Sequence, residues 1–163
     1  MGSVLNNESP DLCRCCGGAC CRTRPGIEAP ERFTAAGDPA GALAAALASG
    51  CWVLESHWGV PYDPEVGPAP DPDRLIRYPR PATLAERSAG RILAAAGTGT
   101  CVLLGAEGCT LPFPARPLLC QTLEPDVAFE CTSTWSRRDA ALAWLPHQEA
   151  VAEALRRLGH EEP

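Results

Sequence analysis

Lysine is missing from this chain: all 14 basic residues are arginine, set against 20 aspartates and glutamates, for a formal charge of −6. That absence excludes a P-loop lysine, a protein-kinase strand lysine and Schiff-base or pyridoxal-type chemistry. No run of basic residues stands anywhere in the chain, so the electrostatic footprint of a duplex binder is missing and no nucleic-acid partner is expected. Long apolar runs are absent too. The longest, Ala40 to Ala48, is mostly alanine and contains Gly41, far short of the roughly 20 residues a membrane span needs. No membrane partner is expected. Met1 to Pro10 has neither a basic nor an apolar region of secretory type, and Asn6 stands where a myristoylation signal has Ser or Thr. The expected location is therefore cytoplasmic. An exported chain would make the same cysteines a disulfide framework.

What remains is enough for a core: 45% of the 163 residues are hydrophobic, while 15 Gly and 17 Pro stay below the level of disordered low-complexity chains. One domain over residues 11–159 is expected, with a flexible N-terminus at 1–10 and a flexible tail at 160–163. Ten residues are cysteine, and they are what most needs a physical reason. In a reducing compartment clustered thiols bind metal more often than they pair.

Five of them stand within nine residues, Cys13-Arg14-Cys15-Cys16-Gly17-Gly18-Ala19-Cys20-Cys21. Glycines there let a backbone wrap closely around a central object. Asp38 to Ser49 reads as a short helix with Leu43 and Leu47 on one face, closed by Gly50. From Pro61 to Pro81 seven prolines in 21 residues predict a long irregular loop with no ladder. Thr83-Leu84-Ala85-Glu86 is a capping box and predicts a helix to about Ala96. Thr100 to Leu104, a turn over Gly105 to Gly108, and Cys109 to Leu111 predict a short hairpin. Ser136 to Leu158 reads as two helical pieces divided at Pro146, the expected first residue of the second. The fold class is α+β, mainly α: helices, one short β-hairpin and long loops wrapped around a cysteine-ligated metal site.

Thiolates are soft, strong ligands for zinc and for iron in iron–sulfur clusters, and four complete either site. Cys13 and Cys16 form one C-x-x-C unit, but the second unit of a zinc ribbon is absent, and the ferredoxin run is not matched either. What is present is C-x-x-C-x-x-x-C-C plus the dispersed Cys101, Cys109, Cys120 and Cys131. By count that completes two four-sulfur sites, or one with thiols to spare.

The N-terminal CRCCGGACCRTRPG followed by Pro30-Glu31-Arg32-Phe33 resembles the YkgJ-type cysteine-cluster family, a zinc- or iron-chelating domain named for a CxxCxxCC motif. The resemblance runs on through Cys101-Val102-Leu103-Leu104, Gly108-Cys109-Thr110-Leu111, Arg116-Pro117-Leu118-Leu119-Cys120, Glu124-Pro125 and Cys131. It covers roughly Leu12 to Leu158, with one residue more between Cys16 and Cys20 than the motif's name implies. The resemblance implies a metal-ligand set of Cys13, Cys16, Cys20, Cys21, Cys101, Cys109, Cys120 and Cys131. Cys15 and Cys51 lie outside the shared pattern.

The expected cofactor is an iron–sulfur cluster serving a redox, sensing or enzymatic role, with zinc in a structural interaction module as the alternative. Absence of paired zinc knuckles favours iron–sulfur. A methyltransferase-like enzyme is a second alternative, implied by a related cysteine domain in flagellin lysine N-methylases. The chain offers no glycine-rich cofactor loop and no catalytic dyad for it. Partners are the metal and an unidentified protein or small molecule. Arg14, Arg22, Arg24 and Arg116, near the cysteines, would offset the negative charge of a thiolate site or serve as ordinary surface charge. His57, between Trp52 and Trp58, is the one histidine with a candidate role as ligand or acid–base. His147 reads as structural, His160 as solvated, Cys51 as a small buried hydrophobe, and Trp135 and Trp144 as packing for the tail.

Overall fold

Trp52–Trp58, rich in aromatic and branched side chains, forms a strand (β1) that pairs antiparallel along its whole length with β2, Leu75–Pro81. The computed structural model describes residues 17–58, 75–95, 97–124 and 131–160. A short third strand, β3 (Leu93–Ala94), lies parallel on the other side of β1, giving the sheet order β2-β1-β3.

This sheet corrects the sequence expectation twice. The proline-rich stretch was expected to have no ladder, yet its last seven residues are a strand. Pro79 and Pro81 fit because they share parity with Arg77, whose backbone N–H and C=O point away from β1 and are bonded by the Gln148 side chain at 2.9 Å each. Pro79 C=O likewise faces outward, accepting from Glu28 N at 3.1 Å. Proline's missing N–H therefore falls on the edge and costs no ladder bond. The helix opened by Thr83 is the second correction. Its capping box is present, but the helix, α4 (Leu84–Ser88), is short and the chain turns into β3 instead of continuing to Ala96.

Other elements follow expectation more closely. The helix before the sheet, α3, runs Pro39–Ala48, with the Asp38 side chain accepting from Gly41 N at 3.0 Å. Leu43 and Leu47 are both buried. Two shorter helices precede it, α1 (Ala19–Thr23) and α2 (Glu31–Thr34). The expected hairpin shrinks to β4 (Leu104–Gly105) against β5 (Gly108–Cys109). Then come α5 (Leu118–Gln121) and the small pair β6 (Leu123–Glu124) with β7 (Thr132–Ser133). The tail divides as expected into α6 (Arg137–Trp144) and α7 (Gln148–Arg157). Pro146 sits in a 3₁₀ turn, Leu145–His147, ahead of α7 and not at its first residue.

The fold is thus α+β, with more sheet than one hairpin. α6 and α7 pack on β2, and α7 packs on α3. Between them lies the main core, including Phe33, Leu43, Leu54, Ile76, Tyr78, Trp144, Val151 and Leu155. Trp144 anchors it, its indole Nε1 donating to Glu28 O at 2.7 Å. Trp135 is half-buried against the same cluster. Among the described residues, no helix is long and apolar enough to cross a membrane.

Candidate metal centre

Three separated segments meet through backbone hydrogen bonds, and each carries cysteine. Cys101 N donates to Cys21 O at 2.7 Å and Gly99 N to Thr23 O at 2.9 Å, laying the 98–102 segment along α1. On its other side Val102 N reaches Ala82 O at 3.0 Å, tying that segment to the end of β2. Leu119 N donates to Ile27 O at 3.1 Å, which brings α5 and Cys120 against Gly26. The approach there is tight. A Cβ on Gly26 would stand 2.2 Å from Cys120 Sγ, so only glycine leaves the sulfur its place. Gly18, at φ 75, opens α1 in a left-handed conformation and lets Leu104 close over it.

Cys20 and Cys21 sit on α1 with their sulfurs 4.0 Å apart. The hydrogen bond from its neighbour lowers Cys20 to about 6 against the opposing effect of burial, and the same contact raises Cys21. Burial, followed by the fields of Cys20, Cys101 and Cys109, pushes the Cys120 thiol up to about 12. Cys101, buried, is pushed up to about 11, first by desolvation and then by Cys109 and Cys20, while its sulfur accepts from Leu103 N at 3.5 Å. Cys21, Cys101 and Cys120 therefore each resist ionising, held up by burial and by the fields of neighbouring thiols, while Cys20 is the one that ionises readily. A cation reverses that preference, since a coordinating thiol is deprotonated outright.

Cys131 joins Cys20, Cys21 and Cys120 in the wall of a cleft of about 790 Å³. Arg24, Arg137 and Arg138 line the same cleft. Among the described residues, no three side chains of His, Cys, Asp or Glu stand close enough together to hold a metal ion by themselves. Cys13, Cys15 and Cys16, and with them Arg14, lie outside the described residues. Within the described part, Cys20, Cys21, Cys120 and Cys131 share the cleft, while Cys101 and Cys109 do not line it and reach Cys120 through their fields.

Cys51 does not line the cleft and is half-buried, more exposed than a buried hydrophobe. His57 is not in the cleft either; its ring lies 6.5 Å from that of Tyr78 on the sheet. His147 packs edge-on against Trp144 at 5.9 Å, and His160 is exposed. Of the arginines expected near the sulfurs, Arg24 lines the cleft and Arg116 lowers the Cys20 pKa by its charge, with its guanidinium 5.6 Å from the Phe113 ring.

Sequence reasoning missed a buried ionic network behind the cleft. Glu55, fully buried on β1, accepts from Arg80 Nε at 2.5 Å, Gly97 N at 3.0 Å and Tyr78 OH at 3.2 Å. Arg137 Nη1 shares Glu55 Oε1 with Tyr78 OH, at 3.0 Å, linking the network to the cleft wall, while Arg80 and Gly97 take Oε2. Arg80 also forks onto Glu86 at 2.7 and 2.8 Å. An acid between Leu54 and Ser56, and an arginine flanked by prolines, carry no local signal that they pair across strands. Comparison with protein-family models, with curated proteins and with solved structures yields no match.

Proposed function

We propose that the chain is a thiolate metalloprotein of the YkgJ-type kind, holding an iron–sulfur cluster in a reducing, cytoplasmic setting. The observation that carries this reading is the gathering of Cys20, Cys21, Cys101 and Cys120 from three segments far apart in sequence, through backbone bonds that serve no element of their own. Thiols that raise one another's pKa are a poor arrangement for a metal-free core and a good one for a cation. Cys13 and Cys16 complete the proposed set with Cys20, Cys21, Cys101, Cys109, Cys120 and Cys131. Bound there, an iron–sulfur cluster supplies one-electron chemistry. The protein's own part is to hold the sulfurs, to donate Leu103 N–H to Cys101 Sγ, and to place arginine charge beside an anionic site.

Anaerobic purification followed by iron, sulfide and zinc analysis tests this directly. Brown protein with iron and acid-labile sulfide is expected; colourless protein with stoichiometric zinc would overturn the cluster and leave the thiolate site. Cys16→Ser and Cys120→Ser should lose metal, whereas Cys15→Ser and Cys51→Ser should keep it. Equal behaviour of all four would show the ligand assignment to be wrong.

A further inference from the structure

The chain is acidic overall, at −6, yet the wall of the cysteine cleft runs the other way. Arg24, Arg137 and Arg138 line it, and no carboxylate does among the described residues. Ile27 and Leu119 add apolar surface to its lining, and Thr98 adds a hydroxyl. At about 790 Å³ it has the size of a small-molecule site.

Arg137 is the most informative member. Its Nη1 is held by the fully buried Glu55 at 3.0 Å, which fixes the guanidinium, while Nη2 is buried with no hydrogen-bond partner among the described residues. A buried donor without an acceptor is costly, and a fork already anchored on one side is preorganised for an oxyanion on the other. We propose that this cleft binds a small molecule through its phosphate or carboxylate group, with Arg137 as the anchoring cation and Arg24 and Arg138 as flanking charges. The ligand would sit beside the cysteines, within reach of whatever chemistry they support. The site stands on the arginines and does not require the metal reading.

Thermal melting and calorimetric titration of the full-length protein with sodium phosphate and with sodium acetate test it, against sodium chloride at equal ionic strength. Metal content is measured on the same preparation. A saturable rise in melting temperature with one of the two anions, and none with chloride, is expected; which anion acts identifies the group. Arg24→Gln, an exposed position, should weaken binding about tenfold without shifting the ligand-free melt, as expected for one lost charge-assisted contact. Arg137→Gln should abolish it. Equal melts in phosphate, acetate and chloride, or unchanged affinity in Arg24→Gln and Arg138→Gln, would overturn the site. Metal-free protein that still binds the anion through these arginines would sink the metal reading alone; metal-loaded protein that ignores both anions would sink this one alone.

Discussion

Arg80 has no exposed surface and carries five interactions: Glu55, two oxygens of Glu86, and the carbonyls of Pro81 and Ala95. Replacing it with methionine leaves Glu55 buried with a reduced complement, so Arg80→Met should cost about 3–5 kcal/mol in chemical denaturation. Burial by itself would raise the Glu86 carboxyl, but hydrogen bonds from Arg80 and Thr83 outweigh it and bring the group from its ordinary 4.5 down to about 2. A depressed carboxylate stabilises the fold above its unfolded pKa and loses that contribution as pH falls through the folded one. Stability should therefore decline between about pH 4.5 and 2 with a slope that Glu86→Gln makes shallower, as read from urea midpoints across that range. Gly26→Ala tests the close approach of α5. Its methyl must displace Cys120 Sγ, and on the proposed metal reading the metal retained per chain should fall well below that of the unaltered protein.

At the level of elements, local and non-local signals part company. The helix of Pro39–Ala48 was legible because its cap, its alanines and its Leu43/Leu47 spacing lie within one window. The Ser136 and Thr83 caps were legible for the same reason; the length of α4 was not, since nothing local says that the chain must turn at Gly90 to feed β3. β2 was hidden by its prolines, which are harmless only on an outward-facing edge, and edge position is a property of the assembled sheet. Gln148 closes that edge by bonding both backbone groups of Arg77. Gln148→Ala should then cost about 1–3 kcal/mol through two groups left partly unsatisfied, and amide exchange at Arg77 should quicken.

For the molecule as a whole, the proposed metal and the fold should be coupled. The segment carrying Cys101 and Cys109 has little apolar burial of its own and is held by backbone bonds to α1 and Ala82. On the proposed metal reading, a chelator should lower the melting temperature and loosen the segment carrying Cys101 and Cys109, while the core around Trp144 keeps its near-UV signal. Uniform loss of both signals, or of neither, would show the two regions to be coupled differently.

Sequence alone determined the chemistry available: ten thiols, five of them within nine residues, no lysine and an acidic chain. Those are properties of residue type and of near neighbours, and they are readable without a fold. The tertiary structure decided which thiols meet, that Cys51 and His57 stand apart from them, and that a buried Glu55 holds an arginine at the cleft wall. Such pairings join residues dozens of positions apart, and their energy comes from desolvation and fields that exist only once the chain has closed around them.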